Sequence, residues 1–170
     1  LDADEEVTGE LRNSIAGIAD NTDIRGFRVN RKNFYLGRWI EHSGWYPQYL
    51  IRLWNRNSGK MREVKVHESV ELNGKAGKLE GDILHRPYGS LSQHLKKMDA
   101  YTTLYAEEKF RRGRKFNAFK AAVYPPLEFV RKYLLKQGFR DGFPGFAIAA
   151  SSAYYAFLKQ AKLLELQLKR

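Results

Sequence analysis

The feature that constrains this chain most is the change in its pattern after Pro87. Before it, short apolar stretches alternate with polar residues and are divided by glycine, asparagine and acidic turns. Beyond it, apolar residues recur every three or four positions. The first pattern suits strands and the second suits helices. The expected fold is therefore an α/β part over 1–88 followed by a mainly helical part over 89–170. Charge divides at nearly the same place. Residues 1–90 carry 14 Lys and Arg against 13 Asp and Glu, a net of +1, and residues 91–170 carry 16 against 6, a net of +10, which together give the +11 of the chain. A polyanion that answers such a surplus, whether nucleic acid, an anionic membrane or a phosphorylated substrate, is expected to meet the second part. With 43% hydrophobic residues in 170, the chain has the apolar material for a core, which excludes wholesale disorder. It has no cysteine, which excludes a disulfide framework, a thiolate zinc site and a cysteine nucleophile.

Local signals fill in the outline. Thr8 is a candidate N-cap for a short helix with Leu11, Ile15 and Ile18 on one face. Strands are expected around 25–35, 49–54 and 61–66, with a hairpin turn at Asn73-Gly74 between 70–72 and 76–79 and a short last strand at 83–85. In the second part, Ser90 or Ser92 caps a helix whose apolar positions are Leu91, Leu95, Met98, Thr102 and Tyr105, stopped by Gly113. Asn117 caps the next helix, which Pro125-Pro126 is expected to break or bend, and a last helix runs from about 143 toward 169. The weakly polar run 143–158 is 16 residues long, short for a membrane span. The acidic start, Leu1-Asp2-Ala3-Asp4-Glu5-Glu6, is unlike a secretory signal and resembles a strand end continued from something longer.

Three short motifs bring together residue types that chemistry uses. Asp2 and Asp4 form a D-x-D, and two carboxylates so spaced in a turn can converge on Mg²⁺ or Mn²⁺ while leaving positions open for diphosphate oxygens. The same triplet also reads as a solvated acidic turn. In Val66-His67-Glu68 a carboxylate beside an imidazole can serve as a general base with an orienting partner, or stand as an exposed strand end. Trp45 and Tyr46, in Gly44-Trp45-Tyr46-Pro47, can stack on a sugar ring or fold into the core. The second part interleaves aromatics with Lys and Arg, a pattern open to an anionic bilayer, to nucleic acid, or to a solvated basic face over a helical core.

The order of the motifs narrows these alternatives. L-D-A-D-E-x-V-T, G-F-R-V-x-R-x-N-F-Y-L-G-R-W-I, G-W-Y-P-x-Y-x-I-R-L, V-H-E and G-D-I-L-H-R-P-Y follow one another. Y-L-L-K-Q-G-F-R-D-G-x-x-G and A-Y-Y-A-F-L-K-x-A-K-L-x-E come after them in the second part. This succession resembles the family-2 glycosyltransferases of bacterial cell-envelope synthesis, in particular the lipopolysaccharide core glucosyltransferases. The resemblance implies a GT-A fold, a nucleotide-diphospho-sugar donor and metal-dependent, inverting transfer of a hexose to a lipid-linked saccharide. It places the metal, Mg²⁺ or Mn²⁺, at Asp2 and Asp4, with His85 as a further ligand. It makes Glu68 the catalytic base with His67 beside it, and it assigns Trp45 and Tyr46 to the acceptor. It implies a cytoplasmic enzyme, peripheral on the inner face of the cytoplasmic membrane, with an anionic lipid surface and no nucleic acid among its partners. Members of that family carry a further half-domain before the D-x-D that holds the nucleotide base, so this chain alone is expected to be inactive. The competing reading, a non-catalytic basic interaction or nucleic-acid-binding module, gives no role to the D-x-D or to V-H-E. The donor sugar, the linkage and the oligomeric state are not specified at this level.

Overall fold

The computed structural model describes residues 1–19, 22–62 and 69–169. The chain divides into two compact units, Leu1–Glu41 with Trp45–Pro87, and His42–Gly44 with Tyr88–Arg170. Its architecture is mixed α/β, with a mixed sheet in the first unit and helices in the second.

In the first unit, strands β1 (Glu5–Val7), β7 (Lys75–His85) and β2 (Ile24–Tyr35) lie side by side, and β2 also pairs with β3 (Arg38–Trp39) and β4 (Tyr49–Trp54). The β7–β2 pair is parallel and the others are antiparallel. Helix α1 (Gly9–Ala16) packs on β7. Thr8 caps it, its hydroxyl accepting from the Leu11 amide at 3.3 Å. The helix lies close because residue 81 is glycine: a Cβ there would come within 2.3 Å of the Leu11 nitrogen, and its φ of +84° also favours glycine. Leu11, Val29, Leu79 and Ile83 form the buried cluster, with Val7, Ile18 and Phe27 against it. Ile15, expected on the inner face, is instead exposed, because α1 ends at Ala16 after two turns.

Asn73-Gly74 turns the chain but does not close the expected hairpin. Strand β6 (Ser69–Leu72) pairs with β5 (Gly59–Arg62), whereas β7 is claimed by β2, beginning with Ile24 opposite Lys75. The parallel partner lies along β7 from Lys75 to His85. It also extends β7 through Gly81 as one strand of 11 residues, where the pattern had indicated two short ones.

The second unit contains α2 (Leu91–Arg111), α3 (Ala118–Val130) and α4 (Gly142–Leu168), with α2 and α3 both packed on α4. Ser90 caps α2 and Asn117 caps α3. The buried ridge of α2 is His94, Met98, Thr102 and Ala106, four residues apart each time, and Leu91 and Leu95 are exposed. Helix α3 runs through Pro125 and Pro126 without ending. Proline φ already matches the helix, and the rod continues into one π-helical stretch, Arg131–Leu135, closed by the Lys136 amide on the Arg131 carbonyl. A 3₁₀ turn at Gly138–Asp141 leads into α4. There Gly145 meets Gly138 so closely that a Cβ on Gly145 would fall 1.8 Å from the Gly138 carbonyl oxygen. The tripeptide His42–Gly44 belongs to this unit. The His42 amide donates to Asp141 Oδ2 at 2.9 Å and His42 Nδ1 donates to Asp141 Oδ1 at 3.1 Å, the carboxylate being fully buried. Among the described residues, no helix is long and apolar enough to cross a membrane.

Candidate active site

The polar centre of the first unit forms where β1, β7 and β2 bring their ends together. Residues 2–5 make a tight turn, with the Glu5 amide on the Asp2 carbonyl at 3.1 Å, and β1 then pairs Glu5 with His85. The Arg86 amide donates to the Asp4 carbonyl at 3.0 Å, which holds the D-x-D turn against the end of β7.

That register sets Asp4 beside His85. His85 Nε2 lies 3.4 Å from Asp4 Oδ2, and Nδ1 lies 2.7 Å from Asn33 Oδ1. Asn33 is itself oriented, because its Nδ2 donates to the Trp45 carbonyl at 3.2 Å. With Oδ1 thereby the acceptor, His85 Nδ1 carries the hydrogen, and Nε2 faces the carboxylate. A buried relay thus runs from the Trp45 backbone through Asn33 and His85 to Asp4, whose side chain remains 45% exposed.

The three acidic residues of the turn have different surroundings. Glu5 has a fully buried side chain, 2.7 Å from Arg52 Nη2 and 3.7 Å from Arg31 Nη1. Asp2 is more exposed and meets the same Arg52 nitrogen at 3.3 Å. Arg31 also donates twice to Gln48 Oε1, at 3.1 and 3.0 Å. Burial lowers the Arg31 guanidinium from its ordinary value, and Glu5 pulls in the other direction.

A second polar chain holds the aromatic loop. Asn30 Nδ2 donates to Asp82 Oδ1 at 2.6 Å, and the Tyr46 hydroxyl donates to Asp82 Oδ2 at 3.4 Å. Asn30 Oδ1 accepts from the Gln48 amide at 2.7 Å. Burial, and then the Asp82 charge, raise the Tyr46 phenol above its ordinary value, so it remains a donor at neutral pH. The Trp45 ring leans on Tyr35 at 5.3 Å, leaving Trp45 and Tyr46 half-buried, between the platform and the core roles.

Of the residues singled out from the sequence, Asp4, His85 and the Trp45 backbone are joined by direct contacts, Tyr46 stands on the Asp82 chain, and Asp2 is turned toward Arg52. His67 and Glu68 lie outside the described residues. Among the described residues, no three His, Asp or Glu side chains gather at one point. Sequence reasoning missed Glu5, Asn30, Asn33 and Asp82. The one signal for the asparagines is their presence inside a strand, where asparagine is disfavoured unless its amide has a task.

Comparison with known proteins finds relatives over nearly the whole chain. The chain is 30% identical over 168 residues to the lipopolysaccharide core biosynthesis glycosyltransferase LpsC of Rhizobium meliloti (strain 1021), covering 97% of this chain and 62% of that protein. It is 29% identical over 181 residues to an uncharacterized glycosyltransferase of Rickettsia typhi, covering 99% of this chain and 62% of that protein. With another of Rickettsia prowazekii it shares 27% over 181 residues, again 99% and 62%. The chain therefore resembles bacterial glycosyltransferases over nearly all its residues and spans 62% of the length of these relatives. No family model and no solved structure matches it.

Proposed function

We propose that this chain carries the donor-diphosphate and acceptor side of a GT-A, family-2 glycosyltransferase. In this reading the protein moves a hexose from a nucleotide-diphospho-sugar to a lipid-linked saccharide at the inner face of the cytoplasmic membrane. The observation that carries this reading is the relay Trp45–Asn33–His85–Asp4, which ties the aromatic loop to an exposed carboxylate at a strand end.

The donor set suits a hard cation. Asp4 is half-exposed, Asp2 lies two residues before it, and one or two carboxylates suffice where substrate phosphates complete the shell of Mg²⁺ or Mn²⁺. Bound there, such an ion would neutralise charge developing on the departing diphosphate. The protein's own groups do the rest. His85, held by Asn33, fixes the direction of the Asp4 carboxylate. Glu5, between Arg31 and Arg52, keeps the turn in shape. Trp45 and Tyr46 offer ring faces to the acceptor sugar. Glu68 accepts the proton of the acceptor hydroxyl as that oxygen attacks the anomeric carbon from the side opposite the leaving group, which inverts the centre.

The test is Glu68→Gln in the protein extended to the length of its relatives, assayed with a panel of nucleotide sugars and Mg²⁺ or Mn²⁺. Transfer falls at least about 100-fold while donor binding is kept. Turnover within a few-fold of wild type would remove Glu68 as the base.

A further inference from the structure

The connection between α3 and α4 leaves a contiguous apolar face in the open. Leu135 is 73% exposed and Phe143 72%, and Leu127, Leu134, Phe139 and Phe146 are exposed with them. Single exposed apolar side chains are ordinary, whereas a joined patch marks a contact surface. The aromatic ones are joined: Phe139 and Phe146 both stand edge-on to the Tyr133 ring, at 6.3 and 5.9 Å, and Phe143 stacks on Phe146 at 6.3 Å, while the leucines stand on the same stretch of chain.

The rim of the face is cationic. Arg131, Lys136 and Arg140 are exposed on the same stretch. Between residues 117 and 158 the acidic side chains are Glu128 and Asp141. Glu128 is paired with Arg131 at 2.8 Å, and Asp141 is buried against His42. We propose that this face seats in the headgroup–acyl boundary of an anionic bilayer, apolar side chains inward and Lys136 and Arg140 at the phosphates. A second copy suits it less, since face-to-face pairing would set the same cations against each other. The choice of lipid as the partner rests on the membrane-borne acceptor proposed above, while docking is read without sugar transfer.

The structure also separates this face from the most basic stretch of the sequence, 109–115. The Phe116 amide donates to Gln167 Oε1 and Gln167 Nε2 donates to the Arg114 carbonyl, which places that stretch at the C-terminal turn of α4. Phe143 is in the first turn. The step of 24 residues from Phe143 to Gln167 puts the two about 36 Å apart along the helix. Docking is thus assigned to one end of α4, not to the basic tail as a whole.

The experiment is co-sedimentation of the chain with vesicles of phosphatidylglycerol and phosphatidylcholine, and with phosphatidylcholine alone, at low and physiological salt. The wild type binds the anionic vesicles. Leu135→Asp with Phe143→Asp lowers the partition coefficient at least about tenfold with circular dichroism unchanged. Arg111→Gln with Arg112→Gln and Arg114→Gln lowers it less than about threefold. Because all three tryptophans lie in the first unit, a Phe143→Trp variant gives a second reading: its added indole shows blue-shifted emission, quenched by brominated lipid. The proposal is overturned if the wild type does not bind, if the basic-stretch variant loses binding while the apolar one keeps it, or if the emission of the Phe143→Trp variant does not move. It is equally overturned if the chain dimerises through this face and the Leu135→Asp and Phe143→Asp changes alter only the dimer.

Discussion

Around the Asp2–Glu5 turn, opposite charges meet: Glu5 lies between Arg52 and Arg31, and Asp2 meets the same Arg52. In the second unit, Lys162–Asp99 and Arg131–Glu128 are paired too, but cations in surplus stand on rings and beside one another. Lys159 lies over Tyr105 and Tyr155, at 4.6 and 4.3 Å, and half-buried Lys132 is lowered from its ordinary value by burial and then by Arg131. The first arrangement is balanced internally and holds side chains in fixed directions, as a reaction site requires. The second keeps its field directed outward, as attraction to an anionic partner requires. The net charges of +1 and +10 therefore correspond to two uses of charge, not to one surface unevenly coloured.

Four substitutions, the last read against pH, test that contrast. The largest effect is expected at the buried pair of the second unit, His42–Asp141. Asp141→Ala leaves the His42 amide and Nδ1 without their acceptor and costs about 3 kcal/mol, measured by urea unfolding of the chain. A change below about 1 kcal/mol would mean the pair is incidental. Next, the turn separates structural from functional carboxylates. Glu5→Ala uncovers two arginines and costs about 2 kcal/mol, whereas Asp4→Ala, half-exposed, costs less than about 0.5 kcal/mol yet abolishes transfer in the extended protein. Equal stability losses would erase the distinction. The smallest effect is that of His94, whose imidazole is pushed below its ordinary value by burial and then by Lys97. The folded state disfavours the charged form, so the contribution is complete above about pH 6.5 and is lost as pH falls through the lower, folded value. His94→Gln flattens that acid limb of the thermal stability profile. An unchanged slope would show that His94 is not its source.

Much of the fold was legible because short-range chemistry determines it. Thr8, Ser90 and Asn117 cap helices since each offers an acceptor one turn before free amides. What escaped was settled at long range. Asn73-Gly74 reads as a hairpin until β2 pairs along β7. Pro125-Pro126 reads as a break until packing on α4 holds the rod together. On α2, periodicity alone cannot choose between neighbouring stripes, and the buried one contains a histidine and an alanine. The D-x-D and His85 were legible as motifs, but their contact depends on the pairing of Glu5 with His85, 80 positions away. Asn33 gave only the signal of an asparagine inside a strand, which does not say that its amide bridges Trp45 and His85.

The clasp of His42 by Asp141 also sets a timetable. The two residues are 99 apart, so a ribosome adding about 5–20 residues per second finishes Asp141 some 5–20 s after His42. Through that interval the His42–Gly44 tripeptide is without its anchor, and the last residue of the first unit, Pro87, is added about midway through it. The tripeptide is therefore among the last parts of the nascent chain to settle, and any premature stop before Asp141 leaves it unanchored.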